Sequence, residues 1–276
     1  MRKYFKIIPV VFVILAGCSK AQTIPKEETK PQPTSGPAIK VMSYNIHIGN
    51  PPSKPTSFRD LQAIADVINL QKPDLVALQE VDVNTTRSGS TVDQAKELAR
   101  LTNMHYFYTK AIDYQGGQFG DAVLSRFPIL ESKRYELPVT TALGGELRSI
   151  AMVTVEKEGK KFLFASTHLD HLGPEDNRVL QANEIVKIAK QLSLPLILCG
   201  DLNATPTSTP INILKQQLSL GCKFSCPYTF PAVTPNRTID YIFVSSIEKL
   251  NVKSYRIVNE TYASDHLPVL AEIELK

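Results

Sequence analysis

The sequence predicts an α/β (α+β) sandwich: two facing mixed β-sheets flanked by helices. Three observations carry this. Segments alternating with period two recur along most of the chain, whereas only three stretches show a helical stripe. Those stretches follow some strands and not others, which excludes a uniform βαβ series. A chain of 276 residues with 43% apolar content can bury one sizeable core.

Along the chain, "IKVMSYNIHIG" (39–49) alternates as a strand. "SFRDLQAIADVINLQKPD" (57–74) places apolar residues at 61, 64, 65, 67 and 68, a helical stripe that Pro73 stops. "LVALQEVD" (75–82) is a second strand, and "TVDQAKELARLTN" (91–103) a second helix. "YFYTKAI" (106–112) and "GDAVLSRFPILESKRYEL" (120–137) read as strand and turn pieces. "RSIAMVTVEKEGKKFLFASTHLD" (148–170) reads as a hairpin turning at Glu158-Gly159. "EDNRVLQANEIVKIAKQL" (175–192) is helical, with apolar residues at 179, 180, 185, 186, 188 and 189. "LPLILCGD", "TIDYIFVS", "VKSYRIV" and "LPVLAEIEL" close the chain as strands. No internal repeat is visible.

Residues 1–17 stand apart from this pattern. "MRKYFK" is basic, and "IIPVVFVILAG" is apolar but too short to span a bilayer as a mature helix. "LAGC" resembles the lipobox of bacterial lipoproteins, which implies cleavage before Cys18, lipidation of its sulfur and, with Ser19 next, an outer-membrane anchor in the bacterial envelope. The competing reading is an ordinary secretory signal with a chance Cys. Residues 18–38 then form a polar tether, rich in Lys, Glu, Thr and Pro, which cannot bury enough surface to offset its ordering entropy. The catalytic domain is expected over 39–276. The formal charge of +4 falls to +1 once Arg2, Lys3 and Lys6 are removed, so no global field points to nucleic acid or anionic lipid. Cys199 belongs to a buried strand pattern. Cys222 and Cys226 lie within disulfide reach in an oxidising compartment. Their spacing also suits zinc, but no second Cys/His pair lies nearby.

Several apolar segments end in the same way. They deliver Asn45, Glu80, His168 with Asp170, Asp201 with Asn203, Asp240, and Asp265 with His266. Any one of these is ordinarily a satisfied cap or turn group. Six strand ends of this kind point instead to one shared rim. Carboxylates, amides and histidines without Cys suit a hard divalent cation, Mg²⁺ or Mn²⁺, and such a set suits phosphoester chemistry.

"SYNIHIG", "LVALQEVD", "STHLDH", "GDLNATP", "TIDYIFVS" and "SDHLPV" together resemble the endonuclease/exonuclease/phosphatase superfamily, that of deoxyribonuclease I and the neutral sphingomyelinases. The resemblance covers 39–276 and implies a four-layer α/β sandwich. It also implies roles. Glu80 is the principal metal ligand with Asn45 beside it, and Asp265 lies near the metal or its waters. Asp201 orients or deprotonates the attacking water, and Asn203 donates to the phosphate. The His266–Asp240 couple and His168 contact the phosphate, His168 doubling as a candidate general acid. Arg148 lies near the substrate. Asp170 is assigned to substrate binding, as a partner behind His168, with His171 at the rim. Two departures are visible. His47 replaces an Asp found in some nucleases of the family, and Asp121 replaces a more usual Asn. Asp121 is expected either near the pocket or facing water. His105 belongs to no motif and is taken as structural.

The resulting expectation is a monomeric, lipid-anchored phosphoesterase whose substrate is a nucleic acid, a phospholipid head group or a phosphosugar. The competing class is a catalytically inactive surface lipoprotein that binds a ligand on the same fold. Retention of Glu80, Asp201, Asn203 and His266 argues against it.

Overall fold

The computed structural model describes residues 36–276 except 224 and 247, together with positions 1, 2, 4 and 9. Cys18 and its tether up to residue 35 lie outside the described residues. The chain divides into Met1–Thr34 and Ser35–Lys276, and all that follows concerns the second unit.

Two six-stranded sheets form the centre. The first contains β1 (Ala38–Asn45), β2 (Leu75–Val83), β3 (His105–Tyr114), β4 (Gly117–Ser125), β11 (Leu250–Ile257) and β12 (Val269–Leu275), in the order β11-β12-β1-β2-β4-β3. The second contains β5 (Glu131–Leu137), β6 (Arg148–Lys157), β7 (Lys160–His168), β8 (Leu196–Asp201), β9 (Ser219–Leu220) and β10 (Asp240–Val244), in the order β5-β6-β7-β8-β10-β9. The two orders share one pairing pattern. In each sheet the central pair is parallel, β1 with β2 and β7 with β8, and every other pair is antiparallel. Sequence similarity does not reveal this repeat because the matched strands share a pleat and a direction, not side chains.

Each parallel pair needs a crossover, and a helix supplies it: α1 (Leu61–Gln71) between β1 and β2, and α3 (Asp176–Gln191) between β7 and β8. α1 starts where the Asp60 carboxylate accepts from the Ala63 N–H, and it ends at Lys72 in the left-handed region, before Pro73. α2 (Gln94–Thr102) is capped in the same manner by Asp93 and Asn103. The β6–β7 hairpin turns at Glu158-Gly159 as expected, with φ of 50° and 78°. Gln115 and Gly116 make an equivalent turn between β3 and β4, joining two pieces that the period-two pattern leaves separate. The short α4 (Thr209–Leu214) follows β8.

Three apolar clusters fill the layers. One lies between the sheets and includes Val41, Ala77, Phe162, Phe164, Ile197 and Ile242. One packs α3 and α4 on the second sheet, and one packs α1 and α2 on the first. The result is the four-layer sandwich. Buried polar links cross the middle: Gln79 Nε2 donates to Ser166 Oγ (2.8 Å), whose hydroxyl donates to the Leu78 carbonyl (2.9 Å), and the Thr109 and Ser149 hydroxyls lie 3.0 Å apart. Cys222 and Cys226 form a disulfide, and Cys199 is a free, buried thiol.

Candidate active site

Both parallel pairs end at the same rim, and each brings its polar residues there by its own means. On the second sheet the means is register. Asp201 at the end of β8 pairs with His168 at the end of β7 on one side and with Asp240 at the start of β10 on the other. Paired residues share a face of a pleated sheet, so these three side chains stand in a row. Gly200 permits this close approach, because a Cβ there would strike the Thr167 carbonyl. On the first sheet the means is a bulge. Leu78 faces Ala122 and Val81 faces Gly120, so Gln79 and Glu80 together oppose Asp121. Strict alternation would aim Glu80 with Leu78 toward the helices. Instead Val81 takes that face, and Glu80, with φ of 57°, turns to the rim. A left-handed Glu is uncommon and strained, and such strain is characteristic of functional positions.

The two halves meet through Asn45, whose Nδ2 donates to Glu80 Oε1 (2.9 Å) and to Asp201 Oδ2 (3.1 Å). Asp201 Oδ1 accepts from the Asn203 N–H (2.9 Å). Asp240 grips His266 Nδ1 with both oxygens (3.1 and 3.0 Å), and His266 Nε2 lies 3.7 Å from Asp201 Oδ2. His266 is further held by the Phe230 ring, with centroids 4.7 Å apart. Arg148 donates from Nη1 to His168 Nδ1 and from Nη2 to His171 Nδ1, both 3.2 Å, and pairs with Glu146 at 3.3 Å. His168 Nε2 lies 3.0 Å from the Asn203 amide nitrogen and 3.6 Å from Asp201 Oδ2, and the same amide nitrogen donates to the Leu169 carbonyl (3.1 Å). A cleft of about 670 Å³ opens here, and its wall includes Glu80, Arg148, His168, Asp201, Asp265 and His266.

The charges are set by these surroundings. Burial pushes the Asp201 carboxyl up to about 7, and the Asp240 charge adds to this. His266 and the hydrogen bonds from Asn203 and Asn45 pull it back. Burial works against a charged His266, but Asp240 and Asp201 more than offset it and raise the ring to about 10, so it is an imidazolium at neutral pH. His168 moves the opposite way. Burial and the Arg148 charge hold it well below the usual histidine range, so it is neutral. That disfavours it as a reservoir of a general-acid proton.

Two acidic groups bear on metal binding. Asp201, Asp240 and His266 place ligand atoms within 4.8 Å of one another. The charged His266, bound to Asp240 through Nδ1, is one counter-charge for these carboxylates. Glu80 and Asp265 differ. Glu80 accepts from Asn45 through Oε1 alone, and the buried Asp265 Oδ1 has no hydrogen-bond partner, with His47 Nδ1 no nearer than 3.6 Å. Open carboxylate oxygens with no thiol close by fit a hard cation. Burial raises the Asp265 carboxyl; His266 and His47 pull it back, and Glu80 adds to the rise.

Measured against expectation, Glu80, His168, Asp201, Asn203, Asp240, Asp265, His266 and Arg148 all reach the rim. Asn45 does too, but it presents a nitrogen to the carboxylates while its oxygen accepts from the His47 N–H (3.0 Å), so it bridges the halves. Asp170 is a correction to the substrate-binding assignment. It is fully buried behind the cleft, where its oxygens accept from the N–H groups of Glu146 (3.2 Å) and Leu172 (3.0 Å) and brace two loops. Asp121 neither faces water nor lines the cleft. It is fully enclosed, next to Ser149 Oγ at 3.4 Å, and burial drives its carboxyl well upward. His171 does sit at the rim, and His105 lies exposed on β3. Arg87, Tyr114, Phe119, Phe230 and Arg237 line the cleft without having belonged to any strand-end motif. Their one sequence signal is an acid, Asp82, just past an apolar strand and five residues before Arg87.

A model of the Endonuclease/Exonuclease/phosphatase family matches residues 42–266. Human nocturnin is 25% identical over 292 aligned positions, spanning 87% of this chain and 66% of that protein. The chain thus covers slightly under two thirds of that relative's length. Among solved structures, an endonuclease/exonuclease/phosphatase family protein from Bacteroides thetaiotaomicron superposes with a TM-score of 0.72 at 22% identity, covering 87% of this chain and 99% of the other. A mannosyl-6-phosphatase from the same organism superposes with a TM-score of 0.67 at 22% identity, covering 85% and 99%. These superpositions show the fold.

Proposed function

We propose that this chain, which belongs to the endonuclease/exonuclease/phosphatase family, is a Mg²⁺- or Mn²⁺-dependent hydrolase of phosphate esters. The observation that carries the reading is the division of labour at the rim: open carboxylate oxygens on the side of one sheet, and on the other sheet a carboxylate, Asp201, between the neutral His168 beside it and the charged His266 that the segment before β12 brings across. Glu80 and Asp265 would hold the ion, which when bound lowers the charge on the phosphate oxygens. Asp201 orients a water for in-line attack on phosphorus and takes its proton as the bond to the ester oxygen breaks. The protonated His266, locked by Asp240, donates Nε2–H to a phosphate oxygen and opposes the charge that develops in the transition state. His168, which accepts from Arg148 at Nδ1, and the Asn203 amide line the same cleft beside Asp201.

Bis-p-nitrophenyl phosphate and p-nitrophenyl phosphate test this reading, and they separate diesterase from monoesterase activity. Release of p-nitrophenolate from at least one, by the purified chain with Mn²⁺, is the expected result. Silence on both overturns it in favour of a ligand-binding protein on the same fold. The leader sequence supports a second proposal, attachment to the bacterial envelope through a lipidated Cys18. Cells expressing the full chain should incorporate radiolabelled palmitate, and Cys18→Ala should abolish the label. Equal labelling of both chains sinks the anchor.

A further inference from the structure

On the Glu80 side of the cleft, one guanidinium is fixed far more firmly than a surface arginine. Asp82 is completely buried, and its two oxygens accept from Arg87 Nε (2.8 Å) and Nη2 (2.9 Å), from Thr85 Oγ1 (2.9 Å) and from Ser88 Oγ (2.6 Å). Tyr114 and Phe119, from the two sides of the β3–β4 turn, place their ring centres 4.3 and 5.2 Å from the guanidinium carbon. The fork to Asp82 uses Nε and Nη2, so Nη1 keeps two protons with no acceptor among the described residues.

The other cleft arginines are differently engaged. Arg148 has both terminal nitrogens on histidines, and Arg178 has both on the carbonyls of Asp170, Leu172 and Gly173. Arg237 lies over Phe230 at 4.8 Å but is exposed and has no side-chain hydrogen bond. Arg87 alone combines rigid fixation with an unused terminal nitrogen on the cleft wall. A mere clamp for the loop at 84–92 would need the fork to Asp82 but no place in the cleft. A pre-oriented guanidinium binds a phosphate with little ordering cost.

We infer that Arg87, held by Asp82, binds a second anionic group of the substrate, a phosphate that flanks the scissile one on the Glu80 side. The substrate class is then a phosphate ester that carries a further phosphate. This rests on reading the cleft as a phosphoesterase site.

Thymidine 5′-(p-nitrophenyl phosphate) and the same ester with a 3′-phosphate make a matched pair of probes. For the wild-type chain, the 3′-phosphorylated ester should have a KM at least about tenfold lower, the scale of one charge-assisted hydrogen bond. Arg87→Lys and Arg87→Gln should each lower the preference, expressed as the ratio of the two kcat/KM values, by at least about tenfold. Thermal unfolding shows which variants remain folded, and the wild-type comparison needs no variant at all. Equal KM values in the wild type overturn the inference. So do folded variants that keep the preference, or that lose both esters in proportion. Release of p-nitrophenolate from neither ester overturns the hydrolase reading together with the subsite, whereas release from both without preference overturns the subsite alone.

Discussion

Excess EDTA lowers hydrolysis of bis-p-nitrophenyl phosphate by the purified chain to the uncatalysed background, and excess Mg²⁺ or Mn²⁺ restores it. The expected size follows from the charges at the rim. Without an ion, a substrate anion would meet Glu80 and Asp265, a half-buried carboxylate and one with an orphaned oxygen, in a cleft whose cations are Arg87, Arg148, Arg178, Arg237 and His266. Repulsion of that kind disfavours binding and the transition state alike, where negative charge grows further. The same reasoning gives Glu80→Gln a distinct signature. It keeps an acceptor for Asn45 and removes a crowded charge, so the fold should hold while the apparent affinity for Mg²⁺ falls. Full turnover in excess chelator would eliminate the Glu80–Asp265 site as a working part.

Asp201→Asn lowers kcat by at least about a hundredfold, the usual scale for a positioned acid/base group. The substitution preserves shape and leaves Oδ1 to accept from the Asn203 N–H, while the new amide nitrogen faces the Asn45 Nδ2 donor, so the base, its charge and the hydrogen bond from Asn45 are lost together. The pH profile supplies a second readout. A carboxyl pushed up to about 7 is ionised above that value and protonated below it, so the wild-type rate falls as pH drops through this range. A bound cation would move the midpoint lower. The acid limb should vanish in Asp201→Asn. Stability should not fall, because ionising a buried carboxyl whose affinity for protons is raised costs the native state. His266→Ala should differ on this last point. It loses a comparable factor in rate, but it also strands Asp240 without its counter-charge, and breaking a buried pair costs about 3–5 kcal/mol. An Asp201→Asn enzyme of wild-type rate and unchanged pH profile would remove Asp201 from the chemistry.

In the sequence, the rim was legible because each strand is apolar until its last residues, and an acid or amide placed there is costly without a purpose. His168, Asp201 and Asp240 could be selected in this way, though not their side-by-side register, which depends on how β7, β8 and β10 align. Glu80 was visible as a polar residue after an apolar run, but the bulge that aims it was not. β2 continues to Val83, and only the pairing with β4 reveals two residues opposite one. Asp170 misled because polarity beside a motif histidine does not say which way a side chain faces. Its oxygens turn inward to two backbone N–H groups. Arg87 escaped notice for the opposite reason. It sits in a polar loop where one more cation is unremarkable, and its meaning comes from Asp82 beneath it.

The shared strand pattern of the two sheets has a mechanical consequence. The ion-holding corner is carried by one sheet and the proton-handling row by the other, so neither layer alone is competent. What separates them is the thickness of the interleaved side chains in the middle, Phe162, Phe164, Ile197 and their neighbours, pinned near the rim by Gln79 and Ser166. That filling acts as a gauge block. Shaving it or thickening it by a methylene would shift the reach between phosphorus and base while leaving every reacting atom in place. Adaptation of this scaffold to substrates of other sizes can therefore be sought at its centre, remote from water.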